Sequence, residues 1–98
     1  MDTYVILRRD GWKTAKDLQE AAEVSRRVGD DEMSEDIRWI RSYVLDEGDG
    51  AVGTVCVYQG SSEEAIREHA SRAGLPADEV IPLVDTVIVR PDPTPAKA

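Results

Sequence analysis

Apolar positions along this chain switch between a period of two and a period near 3.6, and the switches divide it into six predicted elements. Residues 3–8 are β-branched, aromatic and few, which predicts a first strand that Gly11 ends. Thr14, with Asp17 three residues on, reads as a helix start; Leu18, Ala21, Ala22, Ser25 and Val28 then recur at helical spacing, and Gly29 reads as the C-cap. The acidic stretch 30–36 is a connection, part of which would extend the helix. Residues 37–45 predict a second strand, the Gly- and Asp-rich stretch 46–50 a hairpin turn, and residues 52–59 a third strand. Ser61 and Glu64 have capping-box spacing at the start of a second helix, and Gly74, Leu75 and Pro76 stop it. Residues 80–82 lead into a predicted last strand, 83–89. The Pro-rich tail 90–98 is expected to be extended and disordered.

The order β-α-β-β-α-β predicts an α+β ferredoxin-like domain over residues 1–89: a four-stranded antiparallel sheet with two helices on one face. The other face needs a cover. On strand two, strict alternation groups Ile37, Trp39, Arg41, Tyr43 and Leu45 against Arg38, Ile40, Ser42 and Val44. On strand three it sets Thr54, Cys56 and Tyr58 against Val55 and Val57. Neither face is clearly polar, so both are expected to meet something. The simplest cover is a second copy, giving a homodimer of the dimeric α/β barrel type; a ligand pocket within that layer is compatible with it.

Composition narrows the partners. A net charge of −8 over 98 residues repels phosphate backbones and anionic membranes, so neither nucleic acid nor a membrane is expected. No apolar run approaches the ~18 residues of a membrane span. The sequence as it stands opens without a signal-peptide pattern, and its single cysteine forms no internal disulfide, so a cytoplasmic setting is expected.

The candidate chemistry centres on the only cysteine and the only histidine. Cys56 lies mid-strand between valines, where a thiol fills a core as a small hydrophobe or, beside a cation, becomes reactive. His69 lies on or beside the buried stripe of the second helix. It is either a packed imidazole bonded to the backbone or a ligand or catalytic group, and it is the best candidate for a general base. A zinc-type site wants three or four clustered ligands. One Cys and one His fall short, so a metal site would borrow carboxylates such as Asp46, Glu47 or Asp49, or draw on a second subunit. Trp39, Arg41, Tyr43 and Tyr58 form either an aromatic pocket with a cationic tip for a small molecule or the anchors of a dimer interface.

The runs Trp39-Ile40-Arg41-Ser42-Tyr43, Cys56-Val57-Tyr58, Glu64 to Ala70 and Ala73 to Asp78 together resemble a family of short bacterial proteins of unknown function. Its prototype is a nickel-binding protein with a ferredoxin-like fold. The resemblance implies a ferredoxin-like homodimer and binding of nickel or another transition metal, with Cys56 and His69 at the matching positions and Trp39 and Tyr43 as the strand-two signature. Three functions are therefore weighed. The first is a dimeric protein that binds a metal or small ligand near Cys56 and His69. The second is a cofactor-free enzyme of oxygenase or cyclase type, by fold analogy alone. The third is a structural dimer without a site.

Overall fold

The alternation in the sequence becomes, in a computed structural model describing residues 1–93, four strands and two helices. They are β1 (Asp2–Trp12), α1 (Ala15–Arg27), β2 (Ile37–Gly48), β3 (Ala51–Gly60), α2 (Glu63–Ala73) and β4 (Glu79–Pro82). The strands form one antiparallel sheet in the order β2-β3-β1-β4. This is the ferredoxin-like α+β arrangement expected from the sequence. Side chains of one parity, including Tyr4, Ile6, Ile37, Cys56, Tyr58 and Val80, join Ile66 of α2 in the buried core. The β2–β3 hairpin closes through Asp49 and Gly50, both at positive φ, between paired Gly48 and Ala51. That is the twist a two-residue hairpin loop requires.

Two irregularities in the strands decide what faces the helices. β2 carries a bulge: Trp39 pairs with Tyr58, but the next partner along β3, Val57, meets Arg41 instead of Ile40. The extra residue turns the rest of the strand over. Trp39 therefore shares the helix-side face with Ser42, while Arg41 and Tyr43 lie on the opposite face. Strict alternation had put Trp39, Arg41 and Tyr43 together, and the bulge is what separates them. β1 runs four residues beyond its predicted end and bulges between Arg8, paired with Thr54, and Trp12, paired with Val52. The Glu47 carboxylate clasps this kink, accepting from the Asp10 N–H (2.7 Å) and Arg9 Nε (2.8 Å).

Helix ends differ from expectation in two places. Gly29 does not cap α1. The helix loosens instead into a π-helical turn over Val28–Glu32, with the Met33 N–H donating to the Val28 carbonyl at 3.0 Å. The N-cap of α2 is Ser62, whose Oγ accepts from the Ala65 N–H, because Ser61 is already bonded to Asp36 through both its N–H and its hydroxyl. Thr14 and Gly74 cap as expected.

The last strand is shorter and earlier than predicted. β4 ends at Pro82, opposite Tyr4, and after one more bond, Leu83 N–H to the Thr3 carbonyl, the chain reaches the start of β1 and runs out of partner. Residues 83–89 are β-branched but form no strand, and Val84, Val87, Ile88 and Val89 are exposed. Of the tail expected to be disordered, residues 94–98 lie outside the described residues. Asp92 accepts from the Tyr43 hydroxyl and from Arg41 Nη1, both at 3.0 Å.

Candidate functional site: a cavity beneath the first helix

α1 does not pack flush on the sheet. Of its three positions that line the gap, Leu18, Ala22 and Ser25, the last two are small, and a cavity of about 90 Å³ remains. The floor is built from paired strands. Arg8 of β1 lies opposite Thr54 of β3, and Cys56 and Tyr58 continue the same row. Trp12 and Trp39, the chain's two tryptophans, line the cavity from β1 and β2, the first presented beyond the β1 kink and the second just ahead of the β2 bulge. A water needs roughly 10–15 Å³ of such room, so the volume suits a few waters or one single-ring molecule.

Hydrogen bonds run across this floor in one direction. Trp39 Nε1–H donates to Ser42 Oγ (2.8 Å), Ser42 to Cys56 Sγ (3.0 Å), and Cys56 to Thr54 Oγ1 (3.3 Å). The bulge makes the first link possible, since residues three apart on a regular strand face opposite ways. Trp39 also stacks on Tyr58, ring centroids 5.9 Å apart and planes nearly parallel. The Tyr58 hydroxyl bonds Ser25 Oγ at 2.9 Å, and burial pushes its pKa up to about 12, so it stays a phenol.

Arg8 is 1% exposed. Its Nε donates to the Pro76 carbonyl at 2.6 Å, and its guanidinium carbon lies 5.9 Å from the centre of the Tyr58 ring. Nη2 is buried with no partner, and none of the ion pairs among the described residues includes this arginine. A guanidinium stripped of water and left without a counter-ion is costly.

The residues singled out from sequence separate into three places. Trp39, Tyr58 and Cys56 line the cavity. Arg41 and Tyr43 lie on the other side of the sheet, engaged with Asp92. His69 is buried behind Tyr58, its ring centroid 5.2 Å away, and does not line the cavity. Its Nε2–H donates to the Ser25 carbonyl at 2.9 Å, which leaves Nδ1 an unprotonated acceptor, buried without a partner. Burial lowers its pKa, and the nearby Arg8 charge lowers it further, against the bond to Ser25. Sequence reasoning missed Arg8, Trp12 and Thr54. The available signal was parity: Tyr4, Ile6 and Arg8 share one face of β1, and a charge there is a charge in the core.

A metal fits poorly. No group of three or more His, Cys, Asp and Glu side chains among the described residues is placed to hold an ion. Of the borrowed carboxylates, Glu47 is committed to Arg9 and Asp10, and its pKa falls to about 2, through the Arg9 hydrogen bond first and the Asp10 amide second. The described residues of one copy therefore do not gather a ligand set for nickel.

Fold and cavity together define a small ferredoxin-like α+β protein with a ligand-sized hollow under its first helix. A family model described as "Nickel responsive protein SCO4226-like" matches residues 4–83, and the chain belongs to that family. A solved structure, that of SCO4226 from Streptomyces coelicolor A3(2), has the same fold: TM-score 0.69 at 23% identity, covering 87% of this chain and 99% of that one. No curated protein is similar to the chain at a significant level.

Proposed function

We propose that the protein binds a small organic molecule in the cavity between α1 and the sheet and works as a homodimer in the cytoplasm. The observation that carries the binding role is the cavity itself, an aromatic-walled, almost wholly apolar hollow held by two bulged strands, with Arg8 and Thr54 packed at its base. Pockets of this make-up, mostly apolar with a few placed polar groups, are the usual form of small-ligand sites. Both tryptophans line it, so tryptophan emission reads occupancy directly. Titration with single-ring aromatic compounds is expected to change that emission saturably at one ligand per chain. Emission that never saturates across the series would contradict the proposal.

The homodimer is supported by the uncovered face of the sheet, where Val5, Leu7, Val55, Val57 and Leu45 remain partly exposed, and by the unpaired apolar run 83–89. His69, the candidate base, does not line the cavity, which weighs against an enzyme built on that residue.

Nickel binding is the second reading, favoured by membership of a family described as nickel responsive. Since the described residues of one copy do not cluster as ligands, the site would be assembled between copies. Nickel titration of the wild type and of His69→Ala, followed by melting temperature, tests it. Equal stabilisation of both proteins removes His69 from the site, and no stabilisation of either removes the reading.

A further inference from the structure

Arg8 is a buried cation that no ion pair among the described residues neutralises. It lines the cavity, one guanidinium nitrogen is bonded to Pro76, and another is buried with no partner. Thr54 sits directly across the strand pair from it, equally buried. The relay from Trp39 through Ser42 and Cys56 ends on Thr54 Oγ1 as acceptor, which leaves the Thr54 hydroxyl hydrogen with no acceptor among the described residues. One charged donor and one neutral donor thus lie side by side against a cavity whose exposed wall is almost wholly apolar, and neither has its full complement of acceptors among the described residues. Buried polar groups in folded proteins are almost always satisfied, and an exception calls for an absent partner.

We infer that the cavity is a carboxylate site, taking a small organic acid with a flat apolar body, its carboxylate on Arg8 and Thr54 and its ring against Trp12 and Trp39. The inference rests on the cavity being a ligand site and adds the class of ligand. A carboxylate is the natural complement of a guanidinium, which donates through parallel N–H groups. The room available suits one ring. The aromatic walls favour a planar body over a bare inorganic anion.

Benzoate, its neutral isostere benzamide and inorganic phosphate are the probes, with tryptophan emission as the readout at neutral pH. Wild type is expected to bind benzoate at least about tenfold more tightly than benzamide, the worth of one hydrogen bond to a charged group. Arg8→Met is expected to lose that preference while still binding benzamide. Without ligand it is expected to melt no lower than wild type, because an unpaired buried charge has been replaced by an apolar chain of similar length. Where Arg8→Met does not fold, Thr54→Val carries the test: benzoate weakens severalfold and benzamide is unchanged. Equal binding of benzoate and benzamide by wild type overturns the carboxylate assignment and leaves the cavity reading standing. Phosphate binding as tightly as benzoate also overturns it. Binding of none of the three removes the cavity reading, and the inference with it.

Discussion

At the residue scale, Cys56 and His69 stood out in the sequence for their chemistry, yet both are engaged inside the packing. Cys56 is buried, donates to Thr54 and accepts from Ser42. Iodoacetamide is therefore expected to leave it unmodified in the native protein and to alkylate it fully in urea; rapid native alkylation by mass spectrometry would contradict this placement. The packed-imidazole reading of His69 describes its geometry, one nitrogen on a backbone carbonyl and the other shielded. Its folded pKa is lowered, while in the unfolded chain it titrates near its ordinary value of about 6.5. Below that pH the unfolded state binds the extra proton, so stability is full above about pH 6.5 and declines as pH falls. Urea midpoints measured from pH 7.5 to 5 are expected to drop for wild type and to drop less for His69→Gln, whose amide can still donate to Ser25. Identical slopes would show that His69 is not the titrating group. Arg8 was hidden for a different reason. At the edge of a short predicted strand an arginine looks like a solvated end, and only the longer β1 and the overlying α1 turn it into a core residue.

At the element scale, regular periodicity was legible and its interruptions were not. Helix stripes, the Asp-Gly hairpin and the left-handed stop at Gly74 follow from local chemistry that a sequence carries openly. A bulge is one extra residue whose cost and benefit lie in the partner strand, so Ile40 gives no local sign that it will reverse Arg41 and Tyr43. The 83–89 run shows the same limit: its residues favour a strand, but a strand needs a partner and the chain has passed the start of β1. The β1 kink makes its own demand on β3. A Cβ on Gly53 would lie 2.6 Å from the Arg8 carbonyl oxygen and 2.7 Å from Glu47 Oε2. The first of these is backbone and cannot swing aside. Gly53→Ala is expected to destabilise by about 1–3 kcal/mol in chemical denaturation. It should also disturb the cavity, since Arg8 and Trp12 flank the kink. A change under about 0.5 kcal/mol would mean that the kink is slack.

At the scale of the whole molecule, the architecture has one side closed by helices and one side where Asp92 reaches Arg41 and Tyr43 but Val5, Leu7, Val55 and Val57 stay partly exposed. Among the described residues no helix is long and apolar enough to cross a membrane. A second copy is the cover proposed here. Light scattering is expected to give twice the 10.8 kDa chain mass, and Val57→Lys, on the uncovered face of the central strand β3, is expected to give a folded monomer. A wild type that stays monomeric at high concentration would contradict the dimer and leave the cavity, which lies on the other face, untouched.

The ligand role is tested most directly by following the two indole N–H signals in nitrogen-resolved NMR while single-ring acids are added. Trp39 Nε1–H heads the relay that ends at Thr54, and Trp12 lines the wall from β1, the strand that carries Arg8. Both indole signals are expected to shift together and saturate, while the amides of Glu63 and Glu64 in the first turn of α2, a helix that does not line the cavity, hold still. Indole signals that stay fixed while amides elsewhere move would place the ligand outside the cavity and contradict the account.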